Sequence, residues 1–454
     1  MLPLSTIEAF NKARPADAGK MLCHAPFKSI YFGMGGKLFA CCLNRVHTLG
    51  TYPQQSIKDI WSGTKANELR AAIKENDLSK GCQICGHLLA AGNFEGIAIK
   101  NFDYAGWDAE GYPTKMDFEL DNTCNLECVM CRGELSSSIR QNREKKPALH
   151  SPYDAEFIRQ LEEFIPHLEV SHFLGGEPFL IPLYFDLWEK MLELNPRINI
   201  SVQTNATVMN ERVKRVLDAL PVSISVSIDS IEKETYEAIR INAKFERVLE
   251  NIRYFREHCD LKGTRLTISY CPMAQNWREL PRVVEFCNDL NAEVFFNTVT
   301  LPVHSSLIYL SSPQLADVAA FLKKNNLPAN TEVEKFNKKA LEGVMHQIQY
   351  WQRLADDREK TLNGKKINNA LELNNTVRDY VQRTAQESDA EKERIALDIE
   401  EKIDYLLRCA EEEGLLEKMQ AFLCSIDPVL ICDFFPTNEK EHLYGLLKTH
   451  AGLN

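Results

Sequence analysis

The chain has 454 residues, 44% hydrophobic and 26% charged, with a formal net charge of −11. That apolar content builds real cores and excludes a wholly disordered chain, while the acidic balance argues against a general nucleic-acid binder. No apolar run reaches the roughly 18 residues of a membrane-spanning helix, and residues 1–20 break their short apolar stretches with Glu8, Lys12, Arg14 and Asp17, unlike a secretory signal. A cytoplasmic location is expected, where disulfides are rare and clustered thiols point to metal.

In chain order, residues 1–110 read as short segments punctuated by Gly33, Gly35, Gly36, Gly50 and Pro53. They hold Cys23, the adjacent Cys41 and Cys42, and Cys82 and Cys85 in a C-x2-C spacing. Neighbours in an extended strand point to opposite faces. One of Cys41 and Cys42 therefore joins the other thiols, and Cys42 is the expected one. Four thiolates suffice for one closed iron–sulfur cluster or one zinc. His24, His47 and His87 are substitute ligands in the zinc case.

Residues 111–325 alternate short apolar runs with amphipathic stretches. Strands are expected over 116–121, 168–174, 198–204, 222–229, 266–271 and 293–299. Helices follow over 184–194, 211–220, 245–258, 277–290 and 312–323. This βα alternation predicts a parallel sheet with right-handed crossovers. About 210 residues suit six units and fall short of the roughly 250 of a full eight-unit barrel. Several strands also split by face: Ser223, Ser225, Ser227 and Asp229 lie opposite Val222, Ile224, Val226 and Ile228. Ser201, Gln203 and Asn205 repeat the split, as do Thr267, Ser269 and Cys271. A polar inner face suits an open barrel that holds a polar ligand; a half-exposed antiparallel sheet is the alternative. Residues 326–454 read as helices with apolar stripes such as Ile348, Trp351 and Leu354, or Ile395, Ile399, Ile403 and Leu406. Such stripes are packing faces, and no chemical motif accompanies them.

Just past the first strand of the series stands Cys124-Asn-Leu-Glu-Cys128-Val-Met-Cys131. Three thiolates on one tight loop bind three irons of a 4Fe–4S cluster and leave the fourth open to a chelating ligand. A zinc site wants a fourth Cys or His nearby, and none occurs in 132–146. Gly175-Gly176-Glu177-Pro178 ends the second strand, where paired glycines allow close backbone approach. Thr204-Asn205, Ser227-Ile-Asp229 and Ile239-Arg240 follow in order. Taken alone, Thr204-Asn205 also reads as a plain turn and Asp229 as a helix N-cap.

Over about residues 115–300 the chain resembles the radical S-adenosylmethionine (SAM) enzymes. The resemblance implies an α/β fold, a partial (β/α)6 barrel. Cys124, Cys128 and Cys131 would ligate the SAM-binding 4Fe–4S cluster, and Gly175, Gly176, Glu177 and Pro178 would hold the methionyl amino group. Thr204, Asn205, Ser227, Asp229 and Arg240 would contact the ribose and carboxylate. Met130 takes the place of the family's usual aromatic against the adenine, a role a thioether fills softly. Residues 1–110, with Cys23, Cys42, Cys82 and Cys85, resemble the SPASM/twitch auxiliary-cluster domains of the same enzymes, although those usually follow the barrel.

The implied chemistry is reductive cleavage of SAM to a 5′-deoxyadenosyl radical, which abstracts hydrogen from a polar substrate. The substrate would be a small metabolite or a peptide, and the outcome oxidation, epimerisation or crosslinking. A flavodoxin- or ferredoxin-type electron donor is implied; membrane and nucleic-acid partners are not. His172, on the second strand, and Cys271, ending the fifth, are candidate catalytic residues, the thiol as hydrogen-atom donor. Both also read as ordinary buried side chains. The competing reading is a non-catalytic iron–sulfur or zinc scaffold on the same fold.

Overall fold

The computed structural model describes residues 2–450 apart from 16–17, 19–20, 91–93, 95–96, 105, 326, 363–366, 385–388, 427, 437 and 439. It divides into two compact units. The first comprises Met1–Cys271, Pro281–Asn297 and Leu327–Gly343, and the second Pro272–Leu280, Thr298–Asn326 and Val344–Asn454.

The first unit is built on one sheet. Its strands are β1 (Ser29–Phe32), β2 (Lys37–Phe39), β3 (Gly50–Thr51), β4 (Lys115–Phe118), β5 (Val170–Phe173), β6 (Asn199–Thr204), β7 (Val222–Ser227), β8 (Leu266–Tyr270) and β9 (Glu293–Phe296). The order is β3-β2-β1-β4-β5-β6-β7-β8-β9, with β4 to β9 all parallel. The edge strands β3 and β9 do not meet, so the barrel is partial. All six expected strands are present, each trimmed at one or both ends. The expected helix at 277–290 begins as a 3₁₀ turn, Trp277–Glu279, before Leu280–Asp289.

A seventh parallel strand was not expected. β1 pairs in parallel with β4, Tyr31 opposite Asp117 and Phe32 opposite Phe118, so the sheet runs on into the cysteine-rich region. β1 then folds back on β2 through Gly35 and Gly36, both at positive φ. A Cβ on Gly36 would stand 2.0 Å from the Tyr52 carbonyl oxygen, so this return of the chain requires glycine.

Side-chain alternation then separates the two faces. Phe32, Phe118 and Phe173 sit in one register row and are fully buried. Their rings stack at 5.2 and 4.9 Å, and Trp188 of helix Pro182–Leu194 covers Phe173 at 5.3 Å. Burying each such side chain contributes roughly 1.5–3 kcal/mol. The opposite row runs Tyr31, Asp117, His172, Ser201, Ser223. β7 shows the split plainly: Val222, Ile224 and Val226 are buried and Ser223, Ser225 and Ser227 are half-buried. The polar inner face predicted from sequence is therefore present and partly open.

In the second unit, helices Ala370–Thr384, Asp389–Glu412, Leu416–Ser425, Pro428–Phe434 and Lys440–His450 enclose a core of their own. Leu373, Val377, Ile399, Ile403, Leu406, Met419 and Leu443 have no more than 0% exposure within it. The predicted stripe Ile399, Ile403 and Leu406 is thus a packing face.

Candidate functional site

The C-terminal ends of β4 to β8 carry most of the residues singled out by sequence. After β4 the chain turns through Asp121, whose Oδ1 accepts from the Thr123 amide at 2.7 Å, into the loop of Cys124, Cys128 and Cys131. Three serines brace that loop. The Ser137 hydroxyl accepts from the Cys124 amide (3.1 Å), Ser136 donates to the Leu126 carbonyl (2.7 Å), and Ser138 donates to Glu127 (3.0 Å). Ser136 also caps the helix Ser137–Asn142 through the Ile139 amide. On its other side the loop pairs with the segment after helix Lys233–Ile239: Val129 N donates to Ile239 O (2.9 Å) and Glu127 N to Ile241 O (3.1 Å).

That pairing delivers Arg240 to the loop. Its Nη1 stands 3.9 Å from the Cys128 sulfur and its Nη2 2.7 Å from Asp229 Oδ2, both side chains being nearly or wholly buried. Asp229 is therefore not a helix cap. It pairs with Arg240 and accepts from the Cys271 amide at 2.8 Å. Arg240 Nε is buried with no acceptor, so an anionic group beside it would satisfy this N–H. This fits a SAM carboxylate.

Gly175 and Gly176 follow β5 at φ +85° and +47°. A Cβ on Gly176 would lie 2.2 Å from the Thr123 carbonyl oxygen, so the turn nests directly against the start of the cysteine loop. Glu177 is wholly buried and serves the protein itself. Its carboxylate accepts from Thr204 Oγ1 (2.8 Å), the Phe179 amide (3.1 Å) and the Asn205 amide (2.7 Å), tying the β5 and β6 ends together. Burial pushes its carboxyl up to about 7 against the pull of those donors. Thr204 and Asn205 are more than a turn: Asn205 Nδ2 donates to Asn125 Oδ1 (3.1 Å) and lies 3.9 Å from the Cys124 sulfur. Pro178 is buried, whereas Ser227 and Met130 are half-buried. Asn276 belongs to the second unit, where its Oδ1 accepts from the Met273 amide at 2.7 Å.

Burial raises the thiols of the loop. Burial pushes Cys128 up to about 12 and Cys131 up to about 11, and raises Cys124; each is also raised by a neighbouring thiol or by Glu177. A coordinated cation reverses this, because a ligating thiol is deprotonated outright. Among the described residues no three His, Cys, Asp or Glu side chains close on one metal-ion position. Ligands to separate irons of a cubane stand further apart than that. Three thiols, a glycine cradle and the open Nε of Arg240 fit an iron–sulfur cluster chelated by SAM.

The second cysteine group also assembles. The Cys23 thiol is raised chiefly by burial and then by Cys41, with Cys85 and Cys82 also acting on it. Cys85 is pushed up to about 12 by burial and then by Cys41, Cys82 and Cys42. The geometry departs from the expectation of Cys42: Asn44 reaches both Cys41 Sγ and Cys82 Sγ at 3.4 Å, although Cys42 also acts on Cys85. β2 ends at Phe39, so both cysteines lie in the turn that follows rather than in a pleated strand. Cys42 is exposed, and its thiol is raised chiefly by desolvation and then by Cys41 and Asp117, against Lys115 and Arg45. Of the substitute ligands, His47 Nε2 is spent on the Lys65 carbonyl (2.8 Å) and His24 Nδ1 lies 3.9 Å from Asp103. The His87 side chain lies outside the described residues.

Sequence reasoning missed Asn44. It is 2% exposed, donates its backbone N–H to Cys41 Sγ and its Nδ2 to Cys82 Sγ, each at 3.4 Å, and so bridges the two cysteine segments. No motif marks it; only its place three residues after a cysteine hints at a turn. Sequence reasoning also missed Asp117. Lys115 clamps it, and His172 Nδ1 lies 3.4 Å from its Oδ1 on the inner face. Burial pushes the Asp117 carboxyl up, but Lys115 and His172 outweigh this and leave it below the usual range.

Residues 119–287 match the radical SAM superfamily, and residues 23–86 match SPASM, an iron–sulfur cluster-binding domain. A probable GTP 3′,8-cyclase of Methanocaldococcus jannaschii is 26% identical over 175 residues, 38% of this chain and 54% of the relative. An AdoMet-dependent heme synthase of Methanosarcina barkeri is 30% identical over 190 residues, 40% and 50% respectively. The chain thus spans about half the length of the curated relatives it matches. Among solved structures, Streptococcus suis SuiB bound to S-adenosylmethionine is 16% identical, covering 59% of each chain with a TM-score of 0.35. Native anSMEcpe with bound AdoMet is 18% identical, covering 46% of this chain and 59% of that one, also at 0.35.

Proposed function

We propose that this chain, which carries a radical SAM domain with a SPASM domain ahead of it, abstracts hydrogen from a polar substrate held against the inner face of its sheet. The carrying observation is convergence at the C-terminal ends of the parallel strands. The Cys124–Cys131 loop, the Gly175–Gly176 turn and the Arg240–Asp229 pair meet where parallel α/β sheets place ligands. Cys124, Cys128 and Cys131 would hold the SAM-binding cluster, and Cys23, Cys41, Cys82 and Cys85 the auxiliary one. When bound, these groups supply the one-electron chemistry that makes an organic radical.

The remaining work falls to the protein. The glycine turn would receive the amino group of SAM through its backbone, and Arg240 would receive the carboxylate. Glu177 and Asn205 position those segments rather than reach the ligand. Asp117 would fix the ring of His172, which faces the polar lumen beside Ser201 and would orient a substrate, whether small metabolite or peptide. Burial and the adjacent Asp229 carboxylate keep Cys271 protonated, the state in which its S–H serves as a hydrogen-atom donor. Electrons would arrive from a flavodoxin- or ferredoxin-type donor.

The test is iron and sulfide per chain after anaerobic purification, with and without Cys124, Cys128 and Cys131 replaced by Ala. About eight irons falling to about four, with loss of dithionite-driven 5′-deoxyadenosine release, is the expected result. Zinc without iron overturns the reading.

A further inference from the structure

We propose that Asn44 is a positioning residue for the auxiliary cluster, whose hydrogen bonds to two ligand sulfurs set the reduction potential of that cluster. This rests on the reading of Cys41 and Cys82 as ligands. Asn44 approaches the site in two ways: its backbone N–H points at Cys41 Sγ and its amide Nδ2 at Cys82 Sγ, both at 3.4 Å. The rest of the side chain is fixed. Nδ2 also donates to the Lys80 carbonyl at 2.8 Å, and Oδ1 accepts from the His47 amide at 3.0 Å. Oδ1 so crowds the chain before Cys82 that a Cβ on Gly81 would sit 2.1 Å from it. Gly81 holds φ +80°, so the sequence before Cys82 is fitted to Asn44 in both space and conformation.

The physical consequence follows from charge. Each N–H donated to a cluster sulfur draws density from the thiolate, and this favours the more negative, reduced cluster. Loss of the Nδ2 donor therefore makes the auxiliary cluster harder to reduce, while the backbone donor to Cys41 remains. Exchange of Nδ2 for a carboxylate oxygen goes further, since it sets a negative charge beside the same sulfur.

The experiment uses the full chain with Cys124, Cys128 and Cys131 replaced by Ala, reconstituted anaerobically, so that one cluster remains. Potentiometric titration followed by electron paramagnetic resonance compares Asn44 with Asn44→Ala and Asn44→Asp. Expected are about four irons in each and a midpoint that moves to more negative potential in Ala and further in Asp. An unmoved midpoint with iron retained overturns the inference and leaves Asn44 a loop clamp. Should both variants lose iron, the unsubstituted Asn44 protein decides. Labelling its asparagines with ¹⁵N must change the nitrogen hyperfine pattern of the reduced cluster, and an unchanged pattern overturns the inference. Cys41→Ala and Cys82→Ala keep the two readings apart. Full iron in those variants fails the ligand assignment, whereas iron loss in them with an unmoved Asn44 midpoint fails only the role of Asn44.

Discussion

Arg240 illustrates how far a single side chain can be read. Its guanidinium reaches Asp229 Oδ2 at 2.7 Å and the Cys128 sulfur at 3.9 Å, with the pair 9% and 0% exposed. Removing one partner of a buried pair strands the other charge, at a cost of about 3–5 kcal/mol. Arg240→Leu should therefore lower the unfolding free energy by that order, with an earlier denaturation midpoint, and abolish SAM binding in equilibrium dialysis. Arg240→Lys should keep more stability than Leu but lose affinity, because an ammonium lacks the planar fork. A midpoint unchanged in Arg240→Leu would refute the buried-pair account. The same scale shows the limits of sequence. Cys124, Cys128, Cys131, Gly175 and Gly176 announce themselves because their chemistry is local. Asn44 and the choice of Cys41 do not, because each depends on where a strand stops: with β2 ending at Phe39, the pleat argument that favoured Cys42 no longer applies.

At the scale of elements, β6, β7 and β8 were legible because period-two alternation is written into six or so consecutive residues. β1 was not. Its four residues, Ser-Ile-Tyr-Phe, are buried on both faces and show no alternation, and its partner β4 lies more than eighty residues on. Long-range parallel pairing leaves no mark in a local window. The pairing has an energetic signature in Phe32, which is 0% exposed, stacks on Phe118 at 5.2 Å and meets Phe157 edge-on at 5.1 Å. Phe32→Ala should cost about 3–5 kcal/mol. Because β1 joins the cysteine-rich region to the sheet, the loss should fall on both cluster signals together in a denaturant titration. Retention of the radical SAM cluster signal while the auxiliary signal is lost would show that the two regions fold independently.

The molecule as a whole contains two compact units with separate cores. Every cysteine of the two candidate cluster groups lies in the first. The second unit carries Cys409, Cys424 and Cys432 among its helices; its core is built mainly of Leu, Ile and Val with Met419, Phe435 and Ala410, and Cys432 packs against it. A lesion in that core therefore tests whether the iron chemistry depends on the second unit for stability. Ile403 is 0% exposed within the cluster, so Ile403→Ala should remove about 2–5 kcal/mol from its local stability. Two probes separate the consequences: far-ultraviolet circular dichroism follows the helices, and visible absorbance follows the clusters. The expected result is an earlier helical transition with the cluster transition in place, which is departure from two-state behaviour. Iron per chain and 5′-deoxyadenosine release should match the parent below that transition. A single transition shifted equally at both wavelengths would mean that the helical unit stabilises the sheet. In that case residues 344–454 would be needed for the stability of the candidate cluster sites.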